Sequence, residues 1–339
     1  MKNKQRNMVL DIYKGSLIVL VVLCHVFQKS VKDEGGILMS FIWGVQMPGF
    51  MLISGWFNAR NIYSFKGLKE SILKSLKRYA LPFLMWPILV NVLILGEYNR
   101  NPFIKLSVLF QDTDTGLWFL WTICILSIIF AICNLIISTD KRIIIKAIEL
   151  CIAGIVVCFI LFSIIFCVNV DFLGAKYILY YIIFYGFGWL LRRTSNFWKK
   201  YYKDNIKNIV LFICLMIFLS IIFNYDIRYA DDNVISIFLR CIAGLTGNAV
   251  ILNVIEKFRD ICIKFKLAWL GRYTLEIYVT HMYVSGLFIE SNGYNLFTLL
   301  GFENFLVSLF CTVIFTTIII MVLKSISITN FLFFGKVNS

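Results

Sequence analysis

No CxxC pair occurs among the ten cysteines of this 339-residue chain, and Cys24, Cys124, Cys133, Cys151 and Cys158 all lie inside apolar runs. Cysteines so placed behave as small hydrophobes. Neither a disulfide framework nor a zinc site is therefore supported, and no metal is expected. Histidine is rarer still, with two copies, His25 and His281. Internal repeats, low-complexity tracts and polar stretches long enough for a soluble domain are lacking, so residues 1–339 read as a single integral-membrane domain. The apolar residues do not alternate with polar ones, which excludes a closed β-barrel. The first apolar run has no small-residue cleavage site and is followed by more spans, so it reads as a span rather than a leader.

What the chain does have is apolar surface. Hydrophobic residues make up 60%, aromatic residues 17%, and the mean hydropathy is +0.83. Soluble domains carry about 45–50% apolar residues. Here the excess forms separate runs near the length that crosses a bilayer. The pattern predicts an all-α, polytopic membrane helical bundle of about ten transmembrane helices. The spans are read at about 9–27, 37–57, 79–95, 117–137, 148–168, 177–191, 209–224, 234–255, 267–289 and 304–323.

The net charge of +14 raises nucleic acid as a partner, but its distribution argues against that. Most basic residues cluster in short loops, such as Lys66 to Arg78 and Arg192 to Lys207. That asymmetry marks the inner side and sets both termini in the cytoplasm. Membrane lipid, and not nucleic acid, is the expected contact of this charge. The abundance of Ile, Lys and Asn points to an AT-rich bacterial source, hence to multi-pass residence in the inner or cytoplasmic cell membrane.

The stretch Asp11 to His25, DIYKGSLIVLVVLCH, organises the rest. Lys14 and His25 are eleven positions apart, about three helical turns, so they share one face at a separation of roughly 16 Å. Asp11 stands three residues before Lys14, within pairing reach. Ionisable groups at membrane depth are costly unless they face a polar interior, which makes all three candidates for function. An interfacial Asp11–Lys14 pair, with Lys14 reaching the headgroups, is the competing structural reading.

Four further stretches carry chemistry. In QMPGFMLISGWF, Pro48 and Gly49 predict a broken helix mid-span, with Ser54-Gly55 as a close-approach position; an ordinary kink competes. Lys77 and Arg78, at the inner mouth, suit phosphate binding or plain anchoring. Trp118-Phe119-Leu120-Trp121 suits an interfacial aromatic belt or stacking on a sugar ring. In LGRYTLEIYVTH, Arg272 and Glu276 are spaced to pair along a helix, and Tyr273, Ile277 and His281 share a face. Arg240, inside an apolar run, is a candidate partner for a buried acid.

Taken in order, LDIYKG…VVLCH, MPGFMLISGWF, KRYALPF, LWFLW and LGRYTLEIYVTH resemble the acyltransferase family 3 of integral-membrane acyl transferases, which includes polysaccharide O-acetyltransferases. Much of that family has Arg where this chain has Lys14. Lysine lacks the planar fork of arginine, and IYKG fits better the lysine branch that resembles the fucose 4-O-acetylase type. The resemblance implies His25 as catalytic base, Lys14 as a site residue and Arg78 as a donor-side contact.

It also implies acetyl-CoA as acyl donor and a carbohydrate acceptor: a cell-surface polysaccharide or its lipid-linked precursor. Lys14 with Asp11, and Lys77 with Arg78, are then the donor- or site-lining groups. Arg240, Arg272, Glu276, His281 and Ser54 are the remaining cavity candidates. Some members carry an added hydrolase-like domain that is not read here, which makes polysaccharide-assembly proteins candidate partners. A transporter or flippase for a glycan precursor would share the spans and the mid-membrane charges. It would not consume acetyl-CoA.

Overall fold

Asn7 opens the first helix, its side chain accepting the backbone N–H of Leu10, and the chain then stays helical to Ser30. In a bilayer the backbone must satisfy itself, and a helix does so within one segment. The structure is a computed structural model. It describes residues 7–31, 36–138, 145–146, 149, 154, 173–195, 204–225, 227, 234–285, 287 and 294–336. Among them there is no strand. The helices are α1 (Met8–Ser30), α2 (Gly36–Asn58), α3 (Phe65–Ile94), α4 (Pro102–Gln111), α5 (Trp118–Ser138), α6 (Ala175–Arg193) and α7 (Asp204–Asn224). They continue as α8 (Val234–Lys257), α9 (Arg259–Lys264), α10 (Leu267–Leu270), α11 (Thr274–Val284), α12 (Leu299–Ser325) and α13 (Ser327–Phe334).

Seven of the described helices, α1, α2, α3, α5, α7, α8 and α12, are long and apolar enough to cross a membrane. This is a multi-pass membrane protein. The expected count of about ten is not reached among the described residues. Apart from residues 149 and 154, the stretch expected at 148–168 lies outside them. The one expected at 267–289 is not a single helix. It is the short α10, a turn over Gly271 to Tyr273, and the eleven-residue α11.

Two other expectations change. The basic segment read as an inner loop, Lys66 to Arg78, is helical, because α3 starts at Phe65 under a Ser64 cap. Pro82 and Pro87 each withhold an N–H, and α3 widens into π turns at Leu76–Ala80 and Ile88–Ile94 instead of ending. The expected break at Pro48 is also absent, since α2 runs through it as one helix. The Val45 carbonyl, next to the one that Pro48 leaves without a donor, accepts from Asn248 Nδ2 at 3.0 Å.

The chain forms two compact units. Residues 1–50 and 202–321 make the first, and residues 51–201 and 322–339 the second. In the first, Cys24, Phe27, Val31, Met39 and Ile42 make one buried cluster, and Val45, Phe218, Ile221, Ile222, Ile227 and Ala243 make another. Tyr13 Oη donates to Asn248 Oδ1, which ties α1 to α8.

In the second unit α2 and α6 touch backbone to backbone. A Cβ on Gly55 would stand 1.9 Å from the Tyr185 carbonyl oxygen, and one on Gly188 would stand 1.9 Å from that of Leu52. Asn134 receives bonds from Trp189 Nε1 and Arg193 and donates to the Asn58 carbonyl. Trp118 does not face open solvent alone. It stacks on Tyr177 at 4.4 Å and Tyr181 at 5.4 Å.

Candidate active site

The two histidines of the chain lie side by side in the first unit. The ring centroids of His25, on α1, and His281, on α11, are 5.4 Å apart and inclined by 47°. His281 is fully buried, and His25 is partly buried between buried Cys24 and Val26. His281 Nδ1 lies 2.8 Å from the Ile277 carbonyl oxygen. Among the described residues its Nε2 has no hydrogen-bond partner. The Tyr278 ring flanks it at 6.0 Å.

Two devices hold the helices in this register. Near one end, glycines allow backbone contact. A Cβ on Gly15 would stand 2.0 Å from the Leu267 carbonyl oxygen, and one on Gly271 would stand 1.9 Å from that of Asp11. Only hydrogen fits there, which explains the glycine of IYKG and that of LGRY. Near the other end, Lys29 Nζ donates to the Ser285 carbonyl at 2.6 Å and to that of Met282 at 3.3 Å. A lysine one turn past His25 thus caps the last carbonyls of the helix that carries His281.

Along the same helix faces, Val22 and Ile277 stand about one turn from the two histidines. They help to line a half-open groove of about 320 Å³, with Ile18, Leu309, Thr312 and Thr316 among the other walls. Neither imidazole is among its walls; the side chains on either side of His25, Cys24 and Val26, are buried apolar ones.

The other expected residues separate into groups. Asp11 and Lys14 form an ion pair at 2.7 Å, with Asp11 buried. Glu276 is fully buried on α11, whereas Arg272 is exposed in the turn before that helix begins. They do not share one helix, because the chain turns at Gly271, where it meets α1. Arg240 is partly buried on α8.

Lys77, Arg78 and Ser54 belong to the second unit. Ser54 is partly buried on α2. Lys77 and Arg78 sit on the first π turn of α3. With Glu70, Lys74, Gly335 and Lys336 they line a groove of about 450 Å³. Gly335 has φ +61°, and a Cβ there would stand 2.1 Å from the Lys77 carbonyl oxygen. Trp86 Nε1 donates to the Phe333 carbonyl at 2.9 Å, which seats α13 on α3. Sequence reasoning missed Lys29, Asn248, Lys74 and Lys336. Asn248 was signalled by an amide inside an apolar run, and Lys29 by its place four residues after His25. Nothing local signalled Lys336. No group of metal-binding side chains occurs among the described residues.

Residues 9–324 match the family model of the acyltransferase domain called Acyl_transf_3. No curated protein and no solved structure matches the chain. The family match spans nearly the whole sequence, over membrane-length helices and the paired imidazoles, and the chain belongs to acyltransferase family 3.

Proposed function

We propose that this membrane acyltransferase moves an acetyl group from cytoplasmic acetyl-CoA to a hydroxyl of a cell-surface polysaccharide or its lipid-linked precursor, with His25 as general base. The observation that carries this reading is the pairing of His25 with His281 in apolar surroundings. A sugar hydroxyl is a poor nucleophile near neutral pH, and imidazole is the side chain whose ordinary pKa suits its activation. His25 takes the hydroxyl proton as the oxygen bonds to the thioester carbonyl carbon. The carbon–sulfur bond then breaks, and His25 returns the proton to the departing thiolate. One ester and one thiol leave the site.

Lys77 and Arg78 are proposed contacts for the donor phosphates, and Lys74 and Lys336 line the same groove. Arginine and lysine make charge-assisted bonds to phosphate. Asp11 and Lys14, already paired with each other, are assigned to structural support of α1 or to the donor approach. Glu276 and Arg240 carry no assigned step.

The test pairs two measurements. Purified protein in lipid nanodiscs is assayed for release of CoA from acetyl-CoA with host polysaccharide as acceptor. Surface polysaccharide from deletion and complemented strains is analysed by mass for acetyl groups. Acetyl-CoA consumption and an acetyl mass increment that both need His25 support the reading. Polysaccharide export lost without any change in acetyl content points instead to a transporter.

A further inference from the structure

His281 accepts no proton in the mechanism above, yet it is the most completely enclosed ionisable ring beside His25. Its Nδ1 stands at hydrogen-bond distance from a backbone carbonyl, Ile277 O at 2.8 Å. A carbonyl only accepts, so Nδ1 must carry the proton. In a neutral ring this leaves Nε2 as a bare lone pair, since the bond made by one nitrogen sets the state of the other. That Nε2 has no partner among the described residues, and the nearest ring is His25. The ring centroids are 5.4 Å apart with no hydrogen bond between the rings in this structure, and the His25 side chain bonds that of Gln28.

We infer that His281 is a positioning residue for His25: in the reacting enzyme the His25 ring turns to put an N–H on the orphaned Nε2 of His281, and so leaves its opposite nitrogen to act as the base. This rests on the proposed role of His25. As His25 gains the hydroxyl proton it becomes an imidazolium with two N–H groups. One of them is held by His281, and the other carries the proton to the thiolate. His281 stays neutral throughout and exchanges no proton. The arrangement does with a neutral imidazole what a carboxylate does for the histidine of a hydrolase triad. A neutral acceptor is suited to apolar surroundings, where an extra anion would be costly. Lys29 belongs to the same device, since it holds the end of α11 against α1 four residues past each histidine.

Two substitutions separate this role from a merely structural one. The amide of asparagine can keep the Nδ1-type bond to Ile277 O but leaves nothing at the Nε2 position. Glutamine can put an accepting oxygen near the Nε2 position. The expected result is that His281→Gln keeps about a tenth of the wild-type rate of acetyl transfer. His281→Asn should fall a hundredfold or more, with both variants present in the membrane at the wild-type level. A residue that only tethers α11 gives the opposite order, and that order overturns the inference.

An independent readout uses the fact that the chain has only two histidines. In full-length protein labelled with ¹⁵N-histidine and held in nanodiscs, His281 should show a protonated Nδ1 and an unprotonated Nε2. Its signals are assigned from their absence in His281→Gln. A protonated Nε2 overturns the inference whatever the activity. Failure of the His25 assignment looks different: His25→Ala then transfers acetyl at the wild-type rate.

Discussion

The imidazoles of His25 and His281, 256 residues apart in the chain, have ring centroids 5.4 Å apart. Each belongs to a helix whose neighbouring turns are packed by other means, α1 through Gly15 and α11 through the turn at Gly271. The rings therefore meet as a consequence of how two backbones approach.

Replacing His25 by alanine should abolish acyl transfer while leaving the fold intact. The ring is only partly buried, and alanine favours a helix. A general base is worth about 10²- to 10⁴-fold in rate. Acetyl ester content of the surface polysaccharide, normalised to membrane-inserted protein, measures the effect. Unchanged acetylation removes His25 from the chemistry.

Gly271→Ala should be far more damaging than its size suggests. The new Cβ would stand 1.9 Å from the Asp11 carbonyl oxygen, a backbone atom that cannot step aside alone. Overpacking of this kind costs about 1–3 kcal/mol, occasionally more. Gly67→Ala is the control, because the nearest atoms there lie at an ordinary 3.5 Å. Thermal stability in nanodiscs should drop for the first substitution and hold for the second. Equal stability of the two would contradict the close approach of α1 to residues 267–271.

Lys29→Met keeps the length and apolar stem of the side chain but loses the bonds to Ser285 and Met282 carbonyls. Hydrogen bonds to a charged group contribute about 1.5–3 kcal/mol. The end of α11 should loosen, seen as faster amide exchange around Ser285, and acyl transfer should fall about tenfold with the loss of ring register. Amide exchange at Ser285 identical to wild type would show that Lys29 does not clamp this end.

Arg78→Ala and Lys336→Ala act on the groove beside the π turn of α3. If these side chains hold donor phosphates, each substitution should raise KM for acetyl-CoA about tenfold and leave kcat nearly unchanged. Added salt should weaken donor binding to the wild type more than to the variants, because screening acts on the charge that they have lost. A fall in kcat at constant KM would place the groove outside donor binding.

Several features were legible from residues alone because they depend on local spacing. The helical class, the apolar runs and the Asp11–Lys14 pair each involve neighbours within one or two turns. The segment read as span 9 failed for the opposite reason. Leu267 to Val284 is apolar enough for one helix, but Gly271 turns the chain where α1 passes. Pro48 misled as well, since α2 runs through it as one helix, packed there against Asn248, two hundred residues on.

By itself the sequence determined that this is a helical, multi-pass membrane acyltransferase with few ionisable groups inside its spans. Apolar run length, charge asymmetry and motif order are properties of the chain before it packs. Only the tertiary structure decided that His25 faces His281, that Lys29 clamps α11, and that Lys336 joins Lys77 and Arg78. Helical periodicity says which residues share a face, but which faces meet depends on where glycine lets two backbones touch.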